Sequence, residues 1–401
     1  MALTAHRVPG SPPPATAPGP PPPAGEDGGE DDRSRALAGM ASVTALTFLV
    51  ARAVPLGWTV AVAGGVPLAR AAERHGTRAG YATAAASLVE TTAIMGPARM
   101  GIPVPHAASA PLLGTLYRRG APYLALAAVG AVIRTFYYTV TAAFSILVLV
   151  GLDAYLGTYE RLRGFLDFLP AGRTAALWLT LLQLILWSIG AGLIQAWAIR
   201  RGLRRWGGEV VAVERPSDRV DRATPRPHAG VIVLVGIVGF ASLLTSTHPR
   251  FLGVVAAVLL GAWAATGAGS RSLLRGLMVA APLALSTLAF GLVGGIGGQR
   301  AAERSVRVGL LVLIAVWVRS AAGAEGLRRV LVSAVRRLRA VPLLAATAAV
   351  LAAATHADDL DGAGRRLGGR LRSARRRPAP IVDAALGWIA AESSRLGGPT
   401  D

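Results

Sequence analysis

Hydrophobic and polar positions along this chain segregate into long blocks. The short alternations of soluble helices or strands are missing. Between 36 and 355, charge-free apolar stretches of about 16 to 26 residues alternate with arginine clusters, the length a helix needs to cross about 30 Å of hydrocarbon. The strongest stretch, 174–199, reads TAALWLTLLQLILWSIGAGLIQAWAI. It is apolar on every side, and at about 1.5 Å per residue it exceeds the hydrocarbon core with room for tilt.

The blocks predict an all-α polytopic membrane bundle of roughly nine to eleven transmembrane helices. A first transmembrane block, 36–199, contains 36–51, 53–69, 79–98, one long kinked helix or a pair within 121–152, and 174–199. Pro103, Pro105 and Pro111 interrupt 100–117, which reads equally as a span or as a re-entrant segment. The arginine-dense loop 200–228 divides the chain and is expected on the cytosolic side. A second block, 229–355, offers 229–247, 251–269, 276–298 and 308–318, then a basic amphipathic stretch, 326–339.

Residues 1–35 are Pro-rich and then acidic, too polar to form a core, and lack the continuous apolar segment of a signal peptide. They are expected to be a disordered cytosolic tail, and 356–401 a basic cytosolic tail. The placement is that of a multi-pass protein of the cell membrane.

Composition sharpens this picture. Hydrophobic residues make up 53% and charged residues 16%, too apolar for a soluble chain. Net charge is +20, and every basic residue is arginine. Those arginines cluster between apolar segments, as the positive-inside rule expects, so nucleic acid is a poor explanation for them. Without lysine there is no P-loop lysine and no Schiff-base nucleophile, so ATP would have to be bound by another chain. Absent cysteine excludes thiol chemistry and disulfides. Codon bias in a GC-rich genome explains part of the lysine deficit.

Counting parity from the central loop puts Arg300, Arg304 and Arg307 outside, against the charge rule. A crossing at 341–355 would also put the tail arginines outside, so that segment is expected to lie in the membrane plane.

The order of features over about 230–377 resembles the transmembrane T component of energy-coupling factor transporters. An apolar helix ends in LLTSTHPRFL (243–252), a second helix follows, then the basic turn SRSLLRG (270–276) and a long apolar hairpin. The stretch GLRRVLVSAVRRLRAVP (326–342), an alanine-rich helix and a basic end complete the pattern. The resemblance implies a transport component that passes motion of partner ABC-type ATPase subunits to a substrate-binding membrane subunit. It also implies coupling helices ending in short Ala-Arg motifs, the arginine offering a forked donor to the ATPase. The nearest matches are 374–376 and 363–365, which make Arg365, Arg375 and Arg376 the candidate docking contacts. The triplets depart from the family's, the final apolar segment 381–391 is short, and the first half resembles no family. The rival reading is a non-transporting membrane scaffold whose basic tail holds anionic lipids.

Other candidates are fewer. Glu90 and Arg134 place charges within apolar stretches and form a possible intramembrane ion pair, or else mark interfaces between shorter helices. Gly291, Gly294, Gly295, Gly297 and Gly298 read as packing or turn positions more than as a binding loop, because no strand precedes them and G-x-G-x-x-G is incomplete. The six histidines have no i, i+4 pair, and His356 with Asp358, Asp359 and Asp361 reads as a solvated helix end. No G-x-S-x-G occurs. No catalytic residue, metal site or cofactor is expected.

Overall fold

The computed structural model describes residues 27–52, 57–206, 228–246, 248–354 and 378–397, and among these every regular element is helical. In chain order they are α1 (Asp27–Ala51), α2 (Gly57–His75), α3 (Thr77–Met95) and α4 (Pro103–Arg118). Next come α5 (Tyr123–Phe144), which runs straight into a π-helical segment Ser145–Val150, then α6 (Leu152–Phe165) and α7 (Arg173–Arg205). The second half holds α8 (Ala229–Thr245), α9 (Pro249–Ala265), α10 (Ser270–Val293), α11 (Gly298–Arg337) and α12 (Pro342–Ala353). A last helix, α13, spans Pro378–Gly397.

The chain is an all-α bundle, and among the described residues five helices are long and apolar enough to cross a membrane. They lie at Asp32–Ala51, Tyr123–Val150, Arg173–Arg205, Ser270–Val293 and Gly298–Arg337, and α8, α9 and α12 are shorter apolar helices. The expected nine to eleven spans exceed this number among the described residues. The reason is length and charge: α4, α8 and α9 have only 16, 17 and 17 residues, and α2 carries Arg70, Glu73 and Arg74, while α2 and α3 bury residues all round their circumference. Large apolar side chains of α5, α7 and α10 instead point outward, with Phe136 73%, Met278 69% and Trp178 65% exposed. A face of that kind is stable against hydrocarbon and costly against water.

Two cores lie side by side. The first gathers Phe48, Leu68, Leu113, Leu126, Ile199 and Trp388, and the second Leu243, Trp263, Leu311, Ile314 and Trp317. A third cluster joins them, where Leu37 and Met40 of α1 meet Val350 and Leu351 of α12. Arg319 on α11 also donates to the Ile94 carbonyl on α3 at 2.7 Å. In lipid, association depends on close contact between small residues. On α4, a Cβ at Gly114 would lie 2.0 Å from the Ala69 carbonyl oxygen of α2.

The proline-interrupted stretch is the single helix α4. It starts with a proline at its first turn, keeps Pro111 inside, and packs against α2, α3 and α5. The last stretch is longer than its apolar core implied. Its described side chains include Val382, Leu386, Trp388 and Ile389, all buried in the first core. Arg201 of α7 holds it with two hydrogen bonds to the Asp383 carboxylate, at 2.7 and 2.9 Å. Arg205 adds a third contact at 2.9 Å.

Candidate functional site: an apolar cleft and a basic cavity on one helix

α11 is two helices joined at Gly323, whose φ of 72° is open to glycine and strained for other residues. Before the break it contains the apolar run 308–318, and the part after it, 324–337, carries Arg328, Arg329, Arg336 and Arg337. The break lets the second part change direction without ending the helix.

An apolar cleft of about 810 Å³ runs along α11. Its walls come from Val308, Leu311 and Val318 before the break, Leu327 and Leu331 after it, Phe240 and Leu244 of α8, Phe290 of α10, and Leu149 of the π-helical segment. Three hydroxyls in the wall are turned to protein atoms nearby. Thr92 bonds to the Met100 sulfur at 3.3 Å, while Ser286 and Thr287 bond to the Leu283 carbonyl at 2.9 and 2.8 Å. Such a wall selects an apolar occupant.

Two arginines outside the cleft hold the π-helical segment that gives it Leu149 and Val150. Arg304 donates to the Val150 carbonyl, and Arg307 to those of Val148 and Leu149. Arg307 is only 7% exposed, and its Nε has no hydrogen-bond partner among the described residues. These are two of the arginines that sat wrongly by the charge rule. They cap carbonyls that a π-helical turn leaves open, a role that counting charges does not register.

A second cavity, of about 650 Å³, lies on the other side of the same helical segment. Arg328, Arg329, Arg336, Arg337 and Arg339 line it together with Val332, Ser333, Leu351 and Ala354. The carboxylate ion-paired with these arginines is Glu325, 3.9 Å from both Arg328 and Arg329. Among the described residues, five guanidiniums line the cavity and one carboxylate is ion-paired with them, a balance that attracts anions.

Glu90 and Arg134 are both buried, each 2% exposed, but they are not paired. α4 packs against both α3 and α5 and separates them. Glu90 accepts from Ser42 at 3.3 Å, and the guanidinium whose field it feels is Arg328 of the basic cavity. Arg134 donates to the Gln195 side-chain oxygen at 3.2 and 3.0 Å and meets His106 Nδ1 at 3.0 Å. Ser109 donates to the same Gln195 oxygen at 2.9 Å. The ion pair is replaced by two separate polar clusters.

The glycine-rich turn at 291–298 is a contact. A Cβ at Gly294 would lie 2.2 Å from the Ala154 carbonyl oxygen, so α6 and α10 touch there through backbone. Arg365, Arg375, Arg376, His356 and the acidic residues 358–361 lie outside the described residues, as does 207–227 of the central loop. Sequence reasoning singled out 326–339 as basic and amphipathic but missed the cleft. The signal was present in Leu327 and Leu331, an i, i+4 pair on the face opposite the arginines.

Comparison with protein-family models, curated proteins and solved structures finds no match to this chain.

Proposed function

We propose that this chain is a multi-pass cell-membrane component of a transport system, in which segment 324–337 of α11 transmits motion between a partner and the membrane interior. One observation carries the reading. Leu327 and Leu331 form part of the cleft wall while Arg328, Arg329, Arg336 and Arg337 line the basic cavity, all on one short helix behind the Gly323 break. A partner that pulls on the arginines moves the leucines.

The partner is an acidic cytosolic protein. The resemblance to T components makes ABC-type ATPase subunits the natural candidates, with a substrate-binding membrane subunit on the other side. Arg365, Arg375 and Arg376 are proposed as further docking contacts, and both tails are placed in the cytosol. The chain itself carries out no catalysis in this scheme.

The test is co-purification of the full chain with its ATPase pair, as wild type and as Arg336→Glu/Arg337→Glu. The reading expects the pair to be lost from the variant while the bundle still elutes as one species. An undiminished pair in the variant, or a pair released progressively by salt as from a lipid tail, would overturn it.

A further inference from the structure

The basic cavity carries more positive charge than its surroundings neutralise. Arg328 and Arg337 stand on one helical segment about 14 Å apart along its axis, with Arg329 and Arg336 between them. Glu325 reaches only the first two of these arginines, each at 3.9 Å. Arg336, Arg337 and Arg339 have no carboxylate within ion-pair distance among the described residues. Guanidiniums gathered on a concave, partly apolar wall reinforce one another's field.

The covalent chain brings carboxylates to that wall. Ala354 lines the cavity, is 8% exposed, and is the last described residue before 355–377. The sequence from 355 reads THADDLDGAG, followed by seven arginines between 365 and 377. Asp358, Asp359 and Asp361 are thus the only carboxylates between α12 and α13. At no more than about 3.5 Å per residue, Asp358 stays within roughly 14 Å of Ala354 and Asp361 within roughly 25 Å. The cavity that Ala354 itself lines is inside that reach. Leu360, among the aspartates, has apolar counterparts in Val332 and Leu351 of the wall. Exposed ion pairs are weak singly, but three carboxylates on so short a tether meet the arginines at an effective concentration on the order of millimolar.

We propose that Asp358, Asp359 and Asp361 occupy the basic cavity of their own chain and compete there with the acidic partner. The partner must displace this built-in acidic run before it engages Arg336 and Arg337, which sets a threshold on coupling. The inference rests on the transport reading only in taking the cavity as the partner's site, and occupancy is measured with no partner present.

The experiment uses the purified full chain in detergent, which contains no native cysteine. Ser333→Cys, at an exposed position of the cavity wall, is combined with Gly362→Cys beside the acidic run, and disulfide formation on mild oxidation is followed within single chains. Cross-linking should be about tenfold faster with the aspartates present than in Asp358→Asn/Asp359→Asn/Asp361→Asn, which keeps the tether and removes the charge. In a second measurement, without the cysteines, a polyglutamate peptide should bind the asparagine variant about tenfold more tightly than wild type. Equal cross-linking rates, or equal measurable peptide affinities, overturn the inference. Cross-linking between chains overturns it too, by making a second copy the occupant. A rate abolished by dioleoyl phosphatidylglycerol yet unchanged by the asparagine substitutions overturns it by identifying a lipid headgroup there. Peptide that binds neither chain counts against the acidic-partner reading alone, since the cross-link reads the aspartates without it.

Discussion

The guanidinium of Arg307 donates to the carbonyl oxygen of Val148, 159 residues earlier in the chain. This contact ties α11 to the π-helical end of α5 and so joins the two halves beside the cleft. Arg307→Leu leaves the Val148 carbonyl without its donor in an apolar setting, a loss of about 2 kcal/mol. Thermal unfolding in detergent should show the drop, with partial recovery in Arg307→Lys. An unchanged melting temperature would contradict the capping role.

Asp383 anchors α13. Its carboxyl is held below the ordinary carboxylate range, chiefly by the hydrogen bond from Arg201; burial opposes this, and the charges of Arg205 and Arg201 add to the lowering. A group depressed in the folded state stabilises above its unfolded value and loses that contribution as pH falls through its folded value. Docking of α13 should therefore be intact at neutral pH and weaken below about pH 4. Hydrogen exchange over 382–392 reads this directly, and Asp383→Asn should show the weakened state at pH 7. Protection that ignores both the acid and the substitution would rule out the anchor.

Arg134 is a buried cation held by neutral groups, the Gln195 oxygen and His106. Removing one partner of a buried charge is costly, whereas removing the charge together with its partner often is not. Gln195→Leu should lose about 3 kcal/mol, and Arg134→Met/Gln195→Leu should recover most of it. Additive losses in the double variant would mean that the two side chains act independently.

Close backbone approach is the packing device of the first half. Gly114→Val places side-chain atoms where the Ala69 carbonyl oxygen already lies, and α2 and α4 would have to separate. A loss of about 3 kcal/mol is expected from the overpacking alone. A variant that purifies with wild-type thermal stability would show that the approach is dispensable.

How much of this was readable from the residues depends on what each feature needs. The run 174–199 needed only its own apolarity, and it is α7. The basic face at 326–339 needed only helical spacing. What was not readable depended on partners. Charge signs alone paired Glu90 with Arg134, but α4 lies between their helices, and its position follows from close contacts such as Gly114 against Ala69 that no periodicity encodes. Arg304 and Arg307 read as misplaced topology signals because the π-helical carbonyls they cap belong to residues more than 150 positions away. The third such case is Trp388: its stretch looked too short and too close to a basic tail to belong to a core, yet α1 and α2 cover it.

Motion passing along 324–337 can be measured on the isolated chain, which contains no native cysteine to interfere with labelling. Ala241→Cys carrying an environment-sensitive fluorophore reports on the cleft, while a separately labelled polyglutamate peptide titrates the basic cavity and reports its own binding by anisotropy. The account predicts that the cleft signal shifts with the same midpoint as peptide binding, and that Arg336→Glu/Arg337→Glu abolishes both. Peptide that binds the arginines while the cleft signal stays flat would contradict it.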